Sequence, residues 1–198
     1  CKENRLKLYK GFGEKTQQSV IDTIEFYLSN QGSNLYPQVE AVEPQITAYL
    51  QKLFSPENVY LTGSFKRQLE IIDELEYLVN SSIENIKPKF QTANPPELLE
   101  ENTDSLLYKL LNGLKLRLYS ATESFQKKCF FTAGSPEFIN DFIFRFPDID
   151  FSAASIADDS AVFKAVGINY IPYCLRETPG IIERAKAAPL PQLIEPAD

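Results

Sequence analysis

Histidine and methionine are both absent from the 198 residues of this chain. Without histidine, general acid–base chemistry would fall to carboxylates, lysine, tyrosine or cysteine, and a Ser-His-Asp triad is excluded within the chain. A sequence of this length without methionine is unusual in composition. We therefore expect the sequence to be a piece of a longer protein.

Long apolar runs and paired cysteines are also lacking. No stretch reaches the about 18 consecutive apolar residues that a membrane-spanning helix needs, so we expect no membrane partner. The three cysteines, Cys1, Cys129 and Cys174, are far apart and have no metal-binding spacing. The N-terminal residues contain no apolar signal core. These absences predict a cytoplasmic protein in a reducing environment.

The charge balance is acidic, with 27 Asp and Glu against 20 Lys and Arg and a formal net charge of −7. Such a balance argues against tight nonspecific binding to DNA, because the phosphate backbone attracts positive surfaces. The first 20 residues are richer in Lys and Arg than in acids. A locally basic surface is therefore expected near the N-terminus.

The hydrophobic period changes along the chain. Helical spacing predicts helices over 4–9, 16–29, 39–54, 137–144 and 160–166, the last ended by Gly167. Strand signals cover 59–62, 74–79 and 125–132, and a hairpin joins 106–111 to 114–119 through Asn112-Gly113. Residues 80–104 are expected to be loop and helix, and the tail to be extended. Consecutive strands without regular helices between them predict an α+β fold with a mixed sheet.

A glycine pair near the N-terminus joins two predicted helices. Gly11 and Gly13 permit close backbone approach, and the amides at the start of the second helix can bind a phosphate together with Lys15. This pattern is typical of a helix-hairpin-helix, which contacts the DNA backbone without reading sequence. An ordinary helical hairpin that needs glycine for its turn is the alternative.

A second pattern, over residues 61–79, reads LTGSFKRQLEIIDELEYLV. A strand ends at Gly63-Ser64, a basic pair follows, and the next strand carries Glu74 and Glu76. Side chains at i and i+2 of a strand point to one face, so the two carboxylates could hold divalent metals there. Alternatively, they form a solvated strand face.

Two further stretches complete the pattern. Residues 130–135 read FFTAGS, and residues 167–177 read GINYIPYCLRE. Together with the two motifs above, they resemble the polymerase core of bacterial family X DNA polymerases, over about Leu8 to Asp198. The resemblance departs from the family at Ala133, which is an extra residue, and at Cys174, which replaces a glutamate.

The resemblance implies a subdomain organisation and a set of roles. Fingers would cover 1–54, a nucleotidyltransferase palm 55–132, and a small α/β thumb with a linker 133–198. A PHP-type phosphoesterase domain would follow the chain. The partners implied are gapped or primer-template DNA and a deoxynucleoside triphosphate, with Mg²⁺ or Mn²⁺ as cofactor, in a DNA-repair protein of the cytoplasm and nucleoid. Carried over by motif, the nucleotide-binding residues are Gly63, Ser64, Arg67, Gly134 and Ser135, and the DNA-binding residues are Gly11, Gly13 and Lys15.

The metal positions depart from the family. Glu74 and Glu76 stand where the family has aspartates, and the extra methylene should misplace ions such as Mg²⁺ that demand near-ideal octahedral geometry. The family's third aspartate corresponds to Lys115 or Arg117, either of which is a cation. We therefore expect weak or no nucleotidyl transfer and, in an inactive protein, no bound metal. The alternatives are an active transferase that uses Glu74 and Glu76 with Mg²⁺ or Mn²⁺, and an interaction scaffold without nucleic-acid affinity.

One further acidic pair, Asp148 and Asp150, forms the Asp-x-Asp of the sequence. It could offer a second metal pair. A proline-bearing loop between helices is the interpretation that we favour.

Overall fold

The structure is a computed structural model, and it describes Lys15, Gln18, Ser19 and residues 32–122, 124–153 and 158–191. The chain divides into two compact units, Cys1–Ser33 and Asn34–Asp198. In the first unit Lys15, Gln18 and Ser19 are helical and exposed. The rest of the helices predicted over 4–9 and 16–29 lies outside the described residues.

Two sheets are present among the described residues of the second unit. The strands are β1 (Asn34–Leu35), β2 (Val59–Thr62), β3 (Ile71–Ile72), β4 (Glu74–Val79), β5 (Glu97–Glu101), β6 (Ser105–Lys109) and β7 (Lys115–Ser120). β1 and β3 form a short antiparallel pair, and the others form a mixed sheet in the order β2-β4-β7-β6-β5. β4 pairs antiparallel with β2 and parallel with β7. The α+β fold class and the mixed sheet that the sequence predicts are thus confirmed.

Helices surround these strands. They are α1 (Tyr36–Glu40), α2 (Glu43–Phe54), α3 (Gly63–Lys66), α4 (Ile83–Ile86), α5 (Phe125–Thr132), α6 (Pro136–Arg145), α7 (Asp159–Ala165) and α8 (Ile181–Ala187). Short 3-10 helices cover Pro56–Asn58, Lys87–Phe90 and Tyr173–Leu175. Within the part of the chain that the structure describes, no helix is long and apolar enough to cross a membrane.

The first apolar core lies on one face of the mixed sheet. The alternation in β4 directs Leu75, Tyr77 and Val79 to this face, where they belong to one buried cluster with Leu50 of α2 and Leu118 of β7. The opposite face of β4 carries Glu74, Glu76 and the buried Leu78. The core therefore fixes which side of the strand the carboxylates occupy.

A second apolar core gathers the C-terminal helices. Its buried side chains include Phe130 of α5, Phe142 of α6, Phe163 of α7 and Ile182 of α8. The guanidinium of Arg176 is fully buried against these aromatic rings, 5.6 Å from the ring centre of Phe130 and 5.1 Å from that of Phe163. It forms an ion pair with Asp159.

Several element predictions need correction. Residues 125–132 form a helix rather than a strand, because Phe130 enters the second core as part of a helical face. The tail is helical over Ile181–Ala187, where Ile181, Ile182 and Ala185 are buried at helical spacing. The range 80–104, expected to be loop and helix, has helical residues at Ile83–Ile86 but also contains the strand β5. The sequence indicates a small α/β region over 133–198, whereas the described residues of this stretch form helices and no strand.

Candidate active site

The turn after β2 is held in a conformation that favours glycine. Gly63 begins α3 with φ of +70°, and a Cβ atom there would lie 1.9 Å from Oε1 of Glu76. The next residue, Ser64, donates its backbone N–H to the same oxygen at 3.0 Å. The structure therefore places the Gly-Ser turn directly against the strand that carries the two glutamates.

Four polar residues share the face of the sheet beside this turn. Glu74 and Glu76 lie on the same side of β4, because successive side chains of a strand alternate. In the parallel register with β7, Glu74 pairs with Lys115 and Glu76 with Arg117. The two carboxylates thus face two cations of the neighbouring strand.

Arg117 forms a two-pronged ion pair with Glu74. Its Nε donates to Oε2 of Glu74, and its Nη2 donates to Oε1 at 3.0 Å. The same Nη2 donates to Glu100 of β5 at 3.2 Å. The side chains of Arg117 and Glu74 are 14% and 23% exposed, so the pair is partly shielded from water. Hydrogen bonding to Glu74 raises the pKa of the Arg117 guanidinium above its usual range, so the cation is permanent.

Their contacts distinguish Lys115 from Arg117, the two residues that could correspond to the third aspartate position. Arg117 lies against Glu74, whereas Lys115 forms no ion pair within the described part of the chain. Arg117 is therefore the cation that occupies the space between the two strands.

Glu76 is bound through both of its oxygens. Oε1 accepts from the Ser64 N–H, and Oε2 accepts from the Tyr119 hydroxyl at 2.9 Å. Burial and the charge of Glu76 raise the pKa of Tyr119, so its hydroxyl remains a donor at neutral pH. The Ser64 N–H, which could donate to a phosphate oxygen, thus donates to the Glu76 carboxylate instead.

Arg67 is also engaged by the protein. Its Nε donates to Oε1 of Glu177, and its Nη1 lies within hydrogen-bonding distance of the carbonyl oxygens of Thr132 (3.5 Å) and Gly134 (3.4 Å). The side chain is 11% exposed. Arg67 therefore links the Gly-Ser turn to the segment that carries the second core.

Gly134 and Ser135 have packing and capping contacts. A Cβ atom at Gly134 would lie 2.7 Å from the ring of Phe138 and 2.9 Å from Ile139. The buried Ser135 hydroxyl caps α6 by accepting from the Phe138 N–H at 3.1 Å, and it donates to the carbonyl oxygen of Arg176 at 2.8 Å. Packing therefore explains the glycine at position 134, and helix capping explains the serine at position 135.

The two glutamates do not fit a two-metal site in this arrangement. Mg²⁺ and Mn²⁺ need carboxylate oxygens that are free to coordinate, but the oxygens of Glu74 face Arg117 and those of Glu76 face Ser64 and Tyr119. Among the described residues, no group of three or more His, Cys, Asp or Glu side chains could hold a metal ion.

The other sequence candidates lie apart from this face or outside the description. Gly11 and Gly13 lie outside the described residues, and Lys15 is helical and exposed. Asp148 lies in a turn, and Asp150 accepts from the N–H and the hydroxyl of Ser152. These bonds lower the pKa of Asp150 and fit the loop interpretation of the Asp-x-Asp pair.

Three further residues contact the site: Tyr119, Glu100 and Glu177. Tyr119 continues the alternation of β7 beyond Arg117, which is a signal that the sequence contains. Glu100 and Glu177 reach the face from distant segments, so their contributions follow from the tertiary fold alone.

Comparison with models of known protein families and with curated proteins found no match for this chain.

Proposed function

We propose that this chain is a nucleotidyltransferase-type module similar to the core of family X DNA polymerases, that it transfers nucleotides weakly or not at all, and that it binds gapped or primer-template DNA for a covalently linked PHP-type domain. The ion pair between Arg117 and Glu74 carries the proposal. A polymerase of this type holds divalent cations between neighbouring strands, and here a fixed guanidinium fills that space.

Two further contacts support a loss of nucleotidyl transfer. The Ser64 N–H, which by the resemblance would donate to a triphosphate oxygen, donates to the Glu76 carboxylate. Arg67, the cation that the resemblance assigns to the triphosphate, is bound by Glu177. The groups to which the resemblance assigns the metals, the phosphate and the neutralising charge are therefore all bound by other groups of the chain.

Primer extension on DNA with a one-nucleotide gap tests the catalytic part. We expect no template-directed incorporation by the protein with Mg²⁺ or with Mn²⁺. The Glu74→Ala/Glu76→Ala variant serves as the control for a contaminating polymerase. Robust incorporation by the unaltered protein that disappears in this variant would establish the alternative of an active transferase that uses both glutamates.

Fluorescence anisotropy with gapped DNA at increasing salt tests the binding part. We expect binding that weakens as salt rises, since backbone contacts release counterions. Lys15→Glu should weaken it, whereas Lys164→Glu, the same charge reversal at an exposed position of α7, should have little effect. No affinity even at low salt would favour the interaction scaffold, an alternative that the net charge of −7 also supports.

A further inference from the structure

Lys66 is a half-buried cation that forms no ion pair with the residues that the structure describes. Its ammonium lies 4.2 Å from the ring centre of Tyr173, and no hydrogen bond or ion pair of Lys66 occurs within the described part of the chain. Burial lowers the pKa of Lys66, against an opposing effect of the Asp159 charge. A partly desolvated ammonium without an ion pair is costly, and the Tyr173 ring offsets this cost only in part.

Nearby carboxylates are committed to other cations. Asp159 faces the guanidinium of Arg176 with both oxygens, and Glu177 faces Arg67. The Cys129 thiol lines the same cavity as Lys66, and burial raises its pKa to about 12, so it is neutral. No charged group of this neighbourhood is therefore left to neutralise Lys66 except Asp158, which caps α7.

Lys66 lines a cavity of about 380 Å³ whose walls include four aromatic rings and the carboxylates of Asp158 and Asp159. Tyr60 and Phe125 meet edge to face with ring centres 4.8 Å apart, and Tyr170 and Tyr173 meet at 90° with ring centres 6.5 Å apart. Tyr60 and Tyr170 are 40% and 41% exposed, so both rings offer free surface. A volume of this size is within the about 300–1,000 Å³ range of small-molecule sites, which combine apolar walls with a few polar groups.

We propose that this cavity binds a small aromatic carboxylate, with its anionic group on Lys66 and its ring among the tyrosines. The aromatic walls favour a planar ring, because edge-to-face and stacked contacts add to apolar burial. Lys66 supplies one positive charge beside Asp158, and Asp159 is already paired with Arg176, so a monoanion adds less negative charge to this cavity than a phosphate dianion would. A ring hydroxyl or N–H could donate to the Asp158 carboxylate. This inference is independent of the proposed function, since it uses neither the metal face nor DNA.

Saturation-transfer NMR and calorimetry with 4-hydroxyphenylacetate and indole-3-acetate test the site. We expect millimolar or tighter binding that weakens at least tenfold in Lys66→Met and also weakens in Tyr170→Ala, while Lys164→Met leaves it unchanged. Adenosine 5′-monophosphate is the phosphate arm, and phenethylamine is the cationic arm. Equal binding by Lys66→Met, tighter binding of either of these two compounds, or no binding of the carboxylates would overturn the proposal.

A folding measurement separates ligand binding from a structural role of Lys66. Because the ammonium forms no ion pair with the described residues and is partly desolvated, Lys66→Met should melt at the same temperature as the unaltered protein or at a higher one. A clear fall in melting temperature would show that Lys66 stabilises the fold and would contradict its assignment as a ligand-binding residue.

Discussion

Oε1 of Glu76 and the backbone N of Ser64 lie 3.0 Å apart, so a strand carboxylate closes the first turn of α3. This contact depends on the length of glutamate, because the extra methylene lets the side chain fold back toward Gly63. The resulting approach is so close that the turn has no room for a Cβ atom.

Gly63→Ala should destabilise the protein more than a change of backbone preference explains. Gly180 provides a matched control, since it has the same φ of +70° but open space around it. We expect Gly180→Ala to cost about 1 kcal/mol from the positive φ, and Gly63→Ala about 3 kcal/mol because Glu76 must also leave Ser64. Urea denaturation followed by circular dichroism measures both. Equal losses would show that Glu76 does not hold this position in solution.

The Arg117–Glu74 pair should show measurable coupling in a double-mutant cycle. With Glu74→Gln and Arg117→Met, we expect a coupling free energy of about 1–2 kcal/mol, because the pair is bidentate and partly buried. The Lys87–Glu101 pair, 40% and 44% exposed, is the comparison and should give less than about 0.5 kcal/mol. Similar values for the two pairs would contradict the geometry of Arg117.

Arg176 should be among the residues least tolerant of substitution. Its Nε and Nη2 donate to the carbonyl oxygen of Ile171 at 3.0 and 2.9 Å, and its charge is paired with Asp159. Arg176→Met should lower the free energy of unfolding by about 3–5 kcal/mol, since it strands a partly buried carboxylate and a buried carbonyl group. Arg145→Met, at a more exposed ion pair, should cost about 1 kcal/mol or less. A small loss at Arg176 would indicate that the second core reorganises.

Cys129 should alkylate slowly in the folded protein. Burial raises the pKa of its thiol to about 12, so at pH 8 the thiolate fraction is about a thousandfold below that of a thiol with a pKa near 9. Iodoacetamide labelling followed by peptide mass spectrometry measures the rate. The rate should rise about tenfold per pH unit towards pH 12 and should become fast at pH 8 in denaturing urea. Fast labelling of the folded protein at pH 8 would contradict the burial of Cys129.

Local patterns predict the parts of the fold that have one clear period. β4 matches its predicted range of 74–79, and its half-buried and buried residues alternate over 74–77 before the strand becomes buried on both faces. β5 escapes prediction because all five of its residues are exposed and no alternation marks it. Residues 125–132 contain several aromatic side chains, which favour a strand in isolation, but the second core selects their helical face.

The candidate site divides in the same way. The positions of Glu74 and Glu76 on one face follow from the strand period alone. The choice between Lys115 and Arg117 does not, because both alternate onto the same face. The register places Lys115 opposite Glu74 and Arg117 opposite Glu76, and the long Arg117 side chain reaches diagonally to Glu74. The ion pair between Arg67 and Glu177 joins residues 110 positions apart, so no local sequence pattern predicts it.

Three separate side-chain contacts occupy the face beside Gly63: Arg117 with Glu74, Glu76 with Ser64, and Arg67 with Glu177. They share no residue, so exchanging one amino acid breaks one contact and leaves the other two in place. Freeing the carboxylates, the Ser64 amide and Arg67 together would therefore require substitutions at several positions.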